Sequence, residues 1–499
     1  MLILRNARHS SNCGKTHIDA GHATVQQVIA PSDQACAWAS AQAYLRTIAL
    51  GTIQTELSTY TLAEQGGVSA CRSVGAMIRE VQRMSIRQSE TPGIATLQGR
   101  QRLVLSHGDY LMWLLIVIGV FIRLPLLPAP LTYASDIWRQ ADTASIAHNM
   151  IGNLRGILYP QIDWGGTGPG YVETEFQLYS LLVSLLYRLF GEQLWLGRLV
   201  SLLFTLPTLM VFSLLADRVL KRPAAHWALA YFVLAPLYIR YSVAYMPEAT
   251  VLFFYITALY LFCRWLDRQT FVTLLCAACA TGLAILVKPT SIHILLIFLL
   301  MTIHHHGWRV LKRWDIWAGV LLIVLPAVLY FTHARNLYLQ YGNTFGLLSG
   351  GDSKFPHLSA LLSPGLYLAL LRLEVKWIFG GAGALLYLVG LGVAWKRRQP
   401  MLLVFASITI GLYYLIVARY AREEWGIQYH IYAMPFAALG VGLGTEWLLQ
   451  QRPRLLMRIL ILGSFLSVVL ASALVYRGML QNAGNGQIAC AMTMAQLVP

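Results

Sequence analysis

Charge is scarce in this chain. Only 12% of its 499 residues are Asp, Glu, Lys or Arg, about half the share of an ordinary soluble domain, and 57% are hydrophobic. That balance excludes a soluble globular enzyme. Cysteine is equally sparse: seven residues are scattered from Cys13 to Cys490 with no metal-type spacing, which excludes a disulfide scaffold and a zinc module. Cys276 and Cys279 lie inside an apolar run and read as packing residues. No phosphate-cradling Gly-rich loop accompanies the apolar region, which argues against ATP-driven transport. There is no internal repeat of the kind on which many secondary transporters are built. Acidic residues are outnumbered, giving a net charge of +16. In a membrane protein such an excess belongs to the loops on the cytoplasmic side and does not imply nucleic acid.

What the chain has instead is apolar runs near the length of a membrane span. They fall near 110–130, 176–191, 194–216, 224–244, 248–266, 271–287, 290–305, 315–333, 379–395, 400–418, 430–449 and 458–476. Basic clusters at Arg218/Lys221/Arg222, Arg264/Arg268, Arg309/Lys312/Arg313, Lys396/Arg397/Arg398 and Arg452/Arg454/Arg458 are separated by two runs each, so all five share one face, read as cytoplasmic. The alternation is consistent only if 176–191 lies in the interface. This run is short, and Gln177, Ser180, Ser184 and Arg188 recur along one helical face. The expectation is an all-α polytopic membrane protein with about eleven transmembrane helices, its N-terminus inside and its C-terminus outside. Residues 106–480 form the membrane domain and 481–499 a tail. Residues 1–105 are polar and weakly periodic, with no apolar signal-peptide core. They are expected to be a small cytoplasmic extension or a stretch upstream of the native start, with Met84 and Met112 as candidate starts.

On that topology the chemistry gathers on the outer face. The loop after the first span carries Asp136, Arg139, Asp142 and Asp163, then a Gly-rich stretch leading to Glu173 and Glu175. Residues 138–154 read as a short interfacial helix. Either the carboxylates form a pocket at the membrane surface or they simply face water. Arg240 and Glu248 flank an outer turn, where charges pair, line a cavity or snorkel to headgroups. Lys288 and Arg198 stand at outer ends of spans, against the charge bias, and suit an anion such as a lipid phosphate or an interfacial anchor role. Ser363-Pro364 reads as a helix start. In the helix that follows, Arg372 and Lys376 are four residues apart and could hold a phosphate or lipid headgroups. The tract His304-His305-His306 reads as a polar loop.

The run Trp138-Arg139-Gln140-Ala141-Asp142-Thr143-Ala144, together with Glu175-Phe176, Leu196-Gly197-Arg198-Leu199, Met246-Pro247-Glu248 and Lys288-Pro289, resembles the bacterial polyprenyl-phosphate-sugar glycosyltransferases. These are members of the GT-C superfamily, related to dolichyl-phosphate-mannose protein mannosyltransferases and aminoarabinose transferases. The resemblance covers about residues 110–450. It implies a GT-C fold with interfacial helices in the first outer loop, a catalytic acid in that loop and a second acidic position at Glu248. It also implies donor-phosphate binding by Arg198 and Lys288. The catalytic acid of the family is usually followed by a polar or acidic residue, whereas Ile137 follows Asp136, so Asp136 and Asp142 remain alternatives. The late family motif, a His with paired tyrosines before a Pro, is matched only loosely by Tyr429-His430-Ile431-Tyr432 before Pro435.

The expected reaction moves a sugar from a polyprenyl-phosphate donor to an acceptor at the outer face of a bacterial inner membrane, with inversion. Arg240, Arg372 and Lys376 are candidate helpers at the phosphate, and Arg139, Glu173, Glu175 and Glu248 candidate sugar-binding residues. No cofactor or metal is expected. Partners are the lipid-linked donor, an acceptor and membrane lipids. A transporter or flippase, or a ligase or polymerase that uses a pyrophosphate-linked donor, are the competing readings.

Overall fold

The computed structural model describes residues 107–129, 136–163, 168–347, 356–451 and 455–481. The N-terminal stretch 1–105 and the tail beyond 481 lie outside the described residues. The described chain is a bundle of helices, as composition requires. In chain order these are α1 (His107–Phe121), α2 (Ile137–Asn149), α3 (Leu178–Phe190), α4 (Leu194–Val219), α5 (Arg222–Leu234), α6 (Pro236–Tyr241), α7 (Glu248–Arg268), α8 (Phe271–Val287), α9 (Ile294–His306), α10 (Trp314–Tyr341), α11 (Leu358–Leu361), α12 (Pro364–Leu373), α13 (Gly383–Arg397), α14 (Met401–Ile416), α15 (Ala418–Ala421), α16 (Met434–Gln450) and α17 (Leu455–Leu480). Two-residue strands β1 (Val172–Glu173) and β2 (Asn343–Thr344) pair in parallel, with Val172 opposite Asn343.

Every one of the eleven expected spans is occupied by helix, but five helices are long and apolar enough to cross a membrane, or six if the pair Pro364–Ile378 and Gly383–Arg397, bent by 102°, is one span. Part of the difference is length, since Phe271–Val287 and Met401–Ile416 are unbroken apolar helices of 17 and 16 residues, and part is broken backbone. Proline and irregular turns break several runs. Pro236 separates α5 from α6, and the segment 242–247 after α6 is not regular helix. Pro289 opens a 3-10 turn before α9, and a 3-10 segment, Glu424–Ala433, precedes α16. Broken backbone is tolerated in such proteins only where it is buried in protein or lines a cavity.

The 242–247 turn obeys that rule. All six of its residues are buried. The Ser242 carbonyl accepts from Thr205 at 2.9 Å, the Val243 carbonyl from Arg198 at 3.0 Å and the Ala244 carbonyl from Ser201 at 2.5 Å. The Tyr245 N–H donates to Gln140 at 3.2 Å. Just past the end of α1, the wholly buried Arg123 donates to the Ser242 hydroxyl and to the carbonyls of Gly119 and Val233. Gly197 leaves room for the Tyr245 ring, which a Cβ there would strike.

Helix α3 has only 13 residues, about 20 Å of helix, too short to cross a hydrocarbon core of ~30 Å. Its polar stripe turns inward: Ser180 and Ser184 are buried with Gln177, whereas Leu189 and Phe190 are exposed. The first-loop helix is shorter than expected. It ends at Asn149, and Leu154 begins a separate 3-10 turn. Trp138 and Ala141 are exposed while Ile146 and Met150 are buried, so the four do not share one face.

Helices α13 and α16 approach through glycine. A Cβ on Gly390 would meet the Gly440 carbonyl, and one on Gly444 the Leu386 carbonyl. Small residues allow this backbone contact between membrane helices. Replacing Gly444 with Leu is expected to force the pair apart and cost roughly 1–3 kcal/mol. A lower melting temperature in detergent would register it, and an unchanged one would contradict the packing described.

Candidate active site

The first-loop helix α2 begins in buried surroundings, beside a polar cleft that its Arg139 and Thr143 line. Asp136 caps its N-terminus, and the side chain is 2% exposed. Its carboxylate pairs with Arg240 at 2.8 Å, whose side chain is 3% exposed. Arg240 is therefore not an interfacial snorkel. The guanidinium is held between Tyr241 and Trp377, 5.2 and 5.1 Å from their ring centroids. Arg198, 2% exposed, also lies in the field of Asp136. A charge this deep persists only with partners, because desolvation costs several kcal/mol per ion.

Beside this pair lie two more. Arg139, one turn along α2, bonds Glu175, and Lys288 bonds Glu248, the first residue of α7. The Lys288 ammonium sits 5.6 Å from the centre of the Tyr429 ring. Glu248 and Asp142 act on Arg139, and Arg139, Glu175 and Glu248 act on Tyr429, so the groups share one locus. Arg139, Thr143, Glu175, Phe176, Pro247 and Phe345 are among the residues that line a cleft of about 270 Å³ including its open mouth.

Burial by itself would raise the Glu175 carboxyl. The Arg139 charge and hydrogen bond, with the Thr174 hydroxyl, overturn this and hold it at about 2. Burial likewise lowers Arg139, and the Glu175 charge reverses that, leaving the guanidinium above its ordinary range. Both groups are charged throughout the physiological range.

The remaining expected site residues are distributed less simply. Asp142 is half-buried, six positions past Asp136 and so turned well away from it on the helix. Glu173 is wholly buried in β1 and accepts from the Thr344 hydroxyl at 2.5 Å. It ties the first loop to the 343–345 segment and is not displayed in the cleft wall. Arg372 is exposed on α12. Lys376 is taken by Glu424 at 2.6 Å and lies in a π-turn, Glu374–Ile378, beyond the end of α12. Arg372 and Lys376 therefore do not form the expected i, i+4 pair on one regular helix. Lys288 is 8% exposed and ion-paired, not an open interfacial anchor.

Residues the sequence did not single out complete the locus. Phe345 packs 5.1 Å from the Arg139 guanidinium carbon, and Trp377 flanks Arg240. His430, of the loosely matched late motif, turns away: it is buried, bonds Glu374 at 2.6 Å and contacts the Ala421 carbonyl at 2.7 Å. Tyr429 and Tyr432 of the same motif face the site, and Tyr432 reaches Thr290 at 3.1 Å.

Compared with solved structures, the chain superposes on ArnT from Cupriavidus metallidurans in the apo state (TM-score 0.51, 15% identity, 76% of this chain and 78% of that one). It also superposes on the same protein bound to undecaprenyl phosphate (0.53, 15%, 76% and 79%). The Archaeoglobus fulgidus oligosaccharyltransferase tethered with an acceptor peptide gives 0.51 at 14% identity, over 75% of this chain and 56% of that one. The chain has the GT-C fold. The resemblance read from the sequence thus holds in three dimensions, and the protein is a multi-pass membrane protein. Residues 177–331 match the sequence model of the family described as dolichyl-phosphate-mannose-protein mannosyltransferase. No curated protein sequence matches the chain. Within the GT-C fold, the matched segment contains Arg198, Arg240, Glu248 and Lys288 but ends short of β2, and it begins after Asp136, Arg139, Glu173 and Glu175.

The Arg139–Glu175 pair has a checkable pH signature. Its folded carboxyl lies below the ordinary value, so its contribution is complete above about pH 4.5 and is lost as pH falls toward 2. In Arg139→Gln the buried carboxyl is pushed up instead, and stability then falls as pH rises through the new value. The melting temperature of the variant should lie further below wild type at about pH 8 than at about pH 5. An equal gap at both would remove the pair from this account.

Proposed function

We propose that the protein is a membrane glycosyltransferase that moves a sugar from a polyprenyl-phosphate donor to an acceptor at the extracytoplasmic face, inverting the anomeric carbon. The buried Asp136–Arg240 pair at the start of the first-loop helix carries this reading. The GT-C fold and the partial mannosyltransferase-type match support it, as does the similarity to an ArnT solved with undecaprenyl phosphate.

The step balances without a cofactor. An acceptor hydroxyl oxygen attacks the anomeric carbon while the bond from that carbon to the phosphate oxygen breaks. The hydroxyl proton passes to Asp136, held 2.8 Å from Arg240, as general base. The polyprenyl phosphate leaves with the bonding electrons. Lys288, with three N–H donors, can keep Glu248 and also meet the phosphate, and Arg198 adds its charge in a partly dry site. Glu175 and Glu248 present acceptors to sugar hydroxyls. Burial and the arginine partner favour Asp136 over Asp142 as the base. Read by the positive-inside rule, the five basic clusters support a cytoplasmic face opposite the cleft.

Purified protein in lipid, offered a panel of polyprenyl-phosphate sugars with an envelope extract as acceptor, is expected to release polyprenyl phosphate from one donor. Asp136→Asn should slow release by on the order of 10²–10⁴-fold per folded molecule, the folded fraction being followed separately because the change also leaves Arg240 without its partner, and Asp142→Asn by far less. Near-wild-type release by Asp136→Asn would sink the assignment of the base. Turnover of a pyrophosphate-linked donor alone would sink the donor class.

A further inference from the structure

At the opposite end of the helices that carry Glu248 and Lys288, the structure holds a second cavity. Helices α7 to α10 enclose it, with Trp265, Leu274, Ala278, Phe298, Val320 and Ile323 among its walls, and it measures about 870 Å³ with its mouth. Trp265 and Glu248 stand at the two ends of α7, about 26 Å apart at 1.5 Å per residue, so this cavity is separate from the acidic cleft.

Three observations define what would fill it. The lining is almost entirely apolar, and the Thr281 hydroxyl is committed to the Ala277 carbonyl at 2.7 Å, so ordered water has few partners there. The indole Nε1 of Trp265 has no acceptor among the described residues, although the residue is 1% exposed. The turn that joins the wall at Leu311 is basic and aromatic. Leu311 in the wall belongs to the turn Trp308–Lys312, which carries Arg309 and Lys312, and Arg268 follows Trp265 on α7. None of these three cations is in an ion pair among the described residues. Trp308, Trp314 and Trp317 are 71%, 72% and 59% exposed, the pattern of side chains at headgroup depth.

From these features we infer that the cavity binds one acyl chain of an anionic glycerophospholipid, with its phosphate at Arg309, Lys312 and Arg268. A glycerophospholipid supplies what a polyprenyl chain lacks, an ester carbonyl near the headgroup that can accept from Trp265. The basic turn selects the anionic class, since each Lys or Arg near an anionic headgroup layer adds attraction.

The test uses full-length protein in phosphatidylcholine nanodiscs containing a trace of phosphatidylglycerol with a photoreactive acyl chain. Labelling should concentrate on peptides from 262–323. It should fall on the order of tenfold in Arg309→Glu with Lys312→Glu and in Val320→Trp, which fills the cavity. A phosphatidylcholine probe should label it weakly. Melting temperature reports the fold of each variant. Should Val320→Trp not fold, the charge-reversed variant, which alters only exposed side chains, decides alone. Equal labelling by both probes, or no change on charge reversal, overturns the inference. Displacement of the probe by excess polyprenyl phosphate overturns it as well, because the occupant would then be the chain of the donor class.

Discussion

A buried break in a membrane helix must have its backbone groups satisfied from within the protein, and the site is organised around one such break. Residues 242–247 interrupt what would be a single span. Each unsatisfied amide there would cost several kcal/mol without a partner. The partners come from two helices, Arg198, Ser201 and Thr205 on α4 and Gln140 on α2, while Arg123, just past α1, bonds the Ser242 side chain. Supplying those bonds fixes α2 against the turn. That same docking brings Asp136 to Arg240 and presents Arg139 to Glu175 and Glu248. The catalytic geometry and the solution to the backbone problem are one arrangement.

The electrostatics follow the same economy. Three ion pairs, Asp136–Arg240, Arg139–Glu175 and Glu248–Lys288, stand in one locus. Buried pairs of this kind add little net stability, because desolvation offsets their attraction. Their value is to hold ionised groups ready in a low-dielectric cleft. In the reaction proposed above, Asp136 stands beside its arginine and the cations are in place where the phosphate would leave, with little reorganisation of solvent. The aromatic walls, Trp377, Tyr241, Phe345 and Tyr429, keep water from screening them.

Much of this was legible in the chain. Helix positions followed from the apolar runs, because hydrophobic length is a strong local signal. Arg198, Glu248 and Lys288 stood out as charges at the ends of such runs, where they are costly. What could not be read was pairing. Asp136 and Arg240 are far apart in sequence, and no periodicity links them. Arg240 therefore looked as much like a headgroup anchor as a partner. Glu173 was misplaced for a related reason: a strand of two residues has no pattern, so its burial under Thr344 left no local trace. Composition did not show that Pro236 interrupts the run 224–244, or that the run 290–305 opens in a 3-10 turn. Lys376 was misjudged because spacing assumes a regular helix, and a π-turn takes its place.

The short pairing of β1 with β2 has a bearing on how the protein is made. The contact between Glu173 and Thr344 joins residues 171 positions apart. A ribosome adding about 5–20 residues per second needs on the order of 10–30 s to pass from one to the other. During that interval the first loop emerges, α3 to α10 are inserted, and Glu173 lacks its bond from Thr344. The pocket wall at Phe345 cannot close until α10 is complete. A nascent chain halted before that point would hold most of the charged residues of the cleft, but not the strand that seals their loop in place.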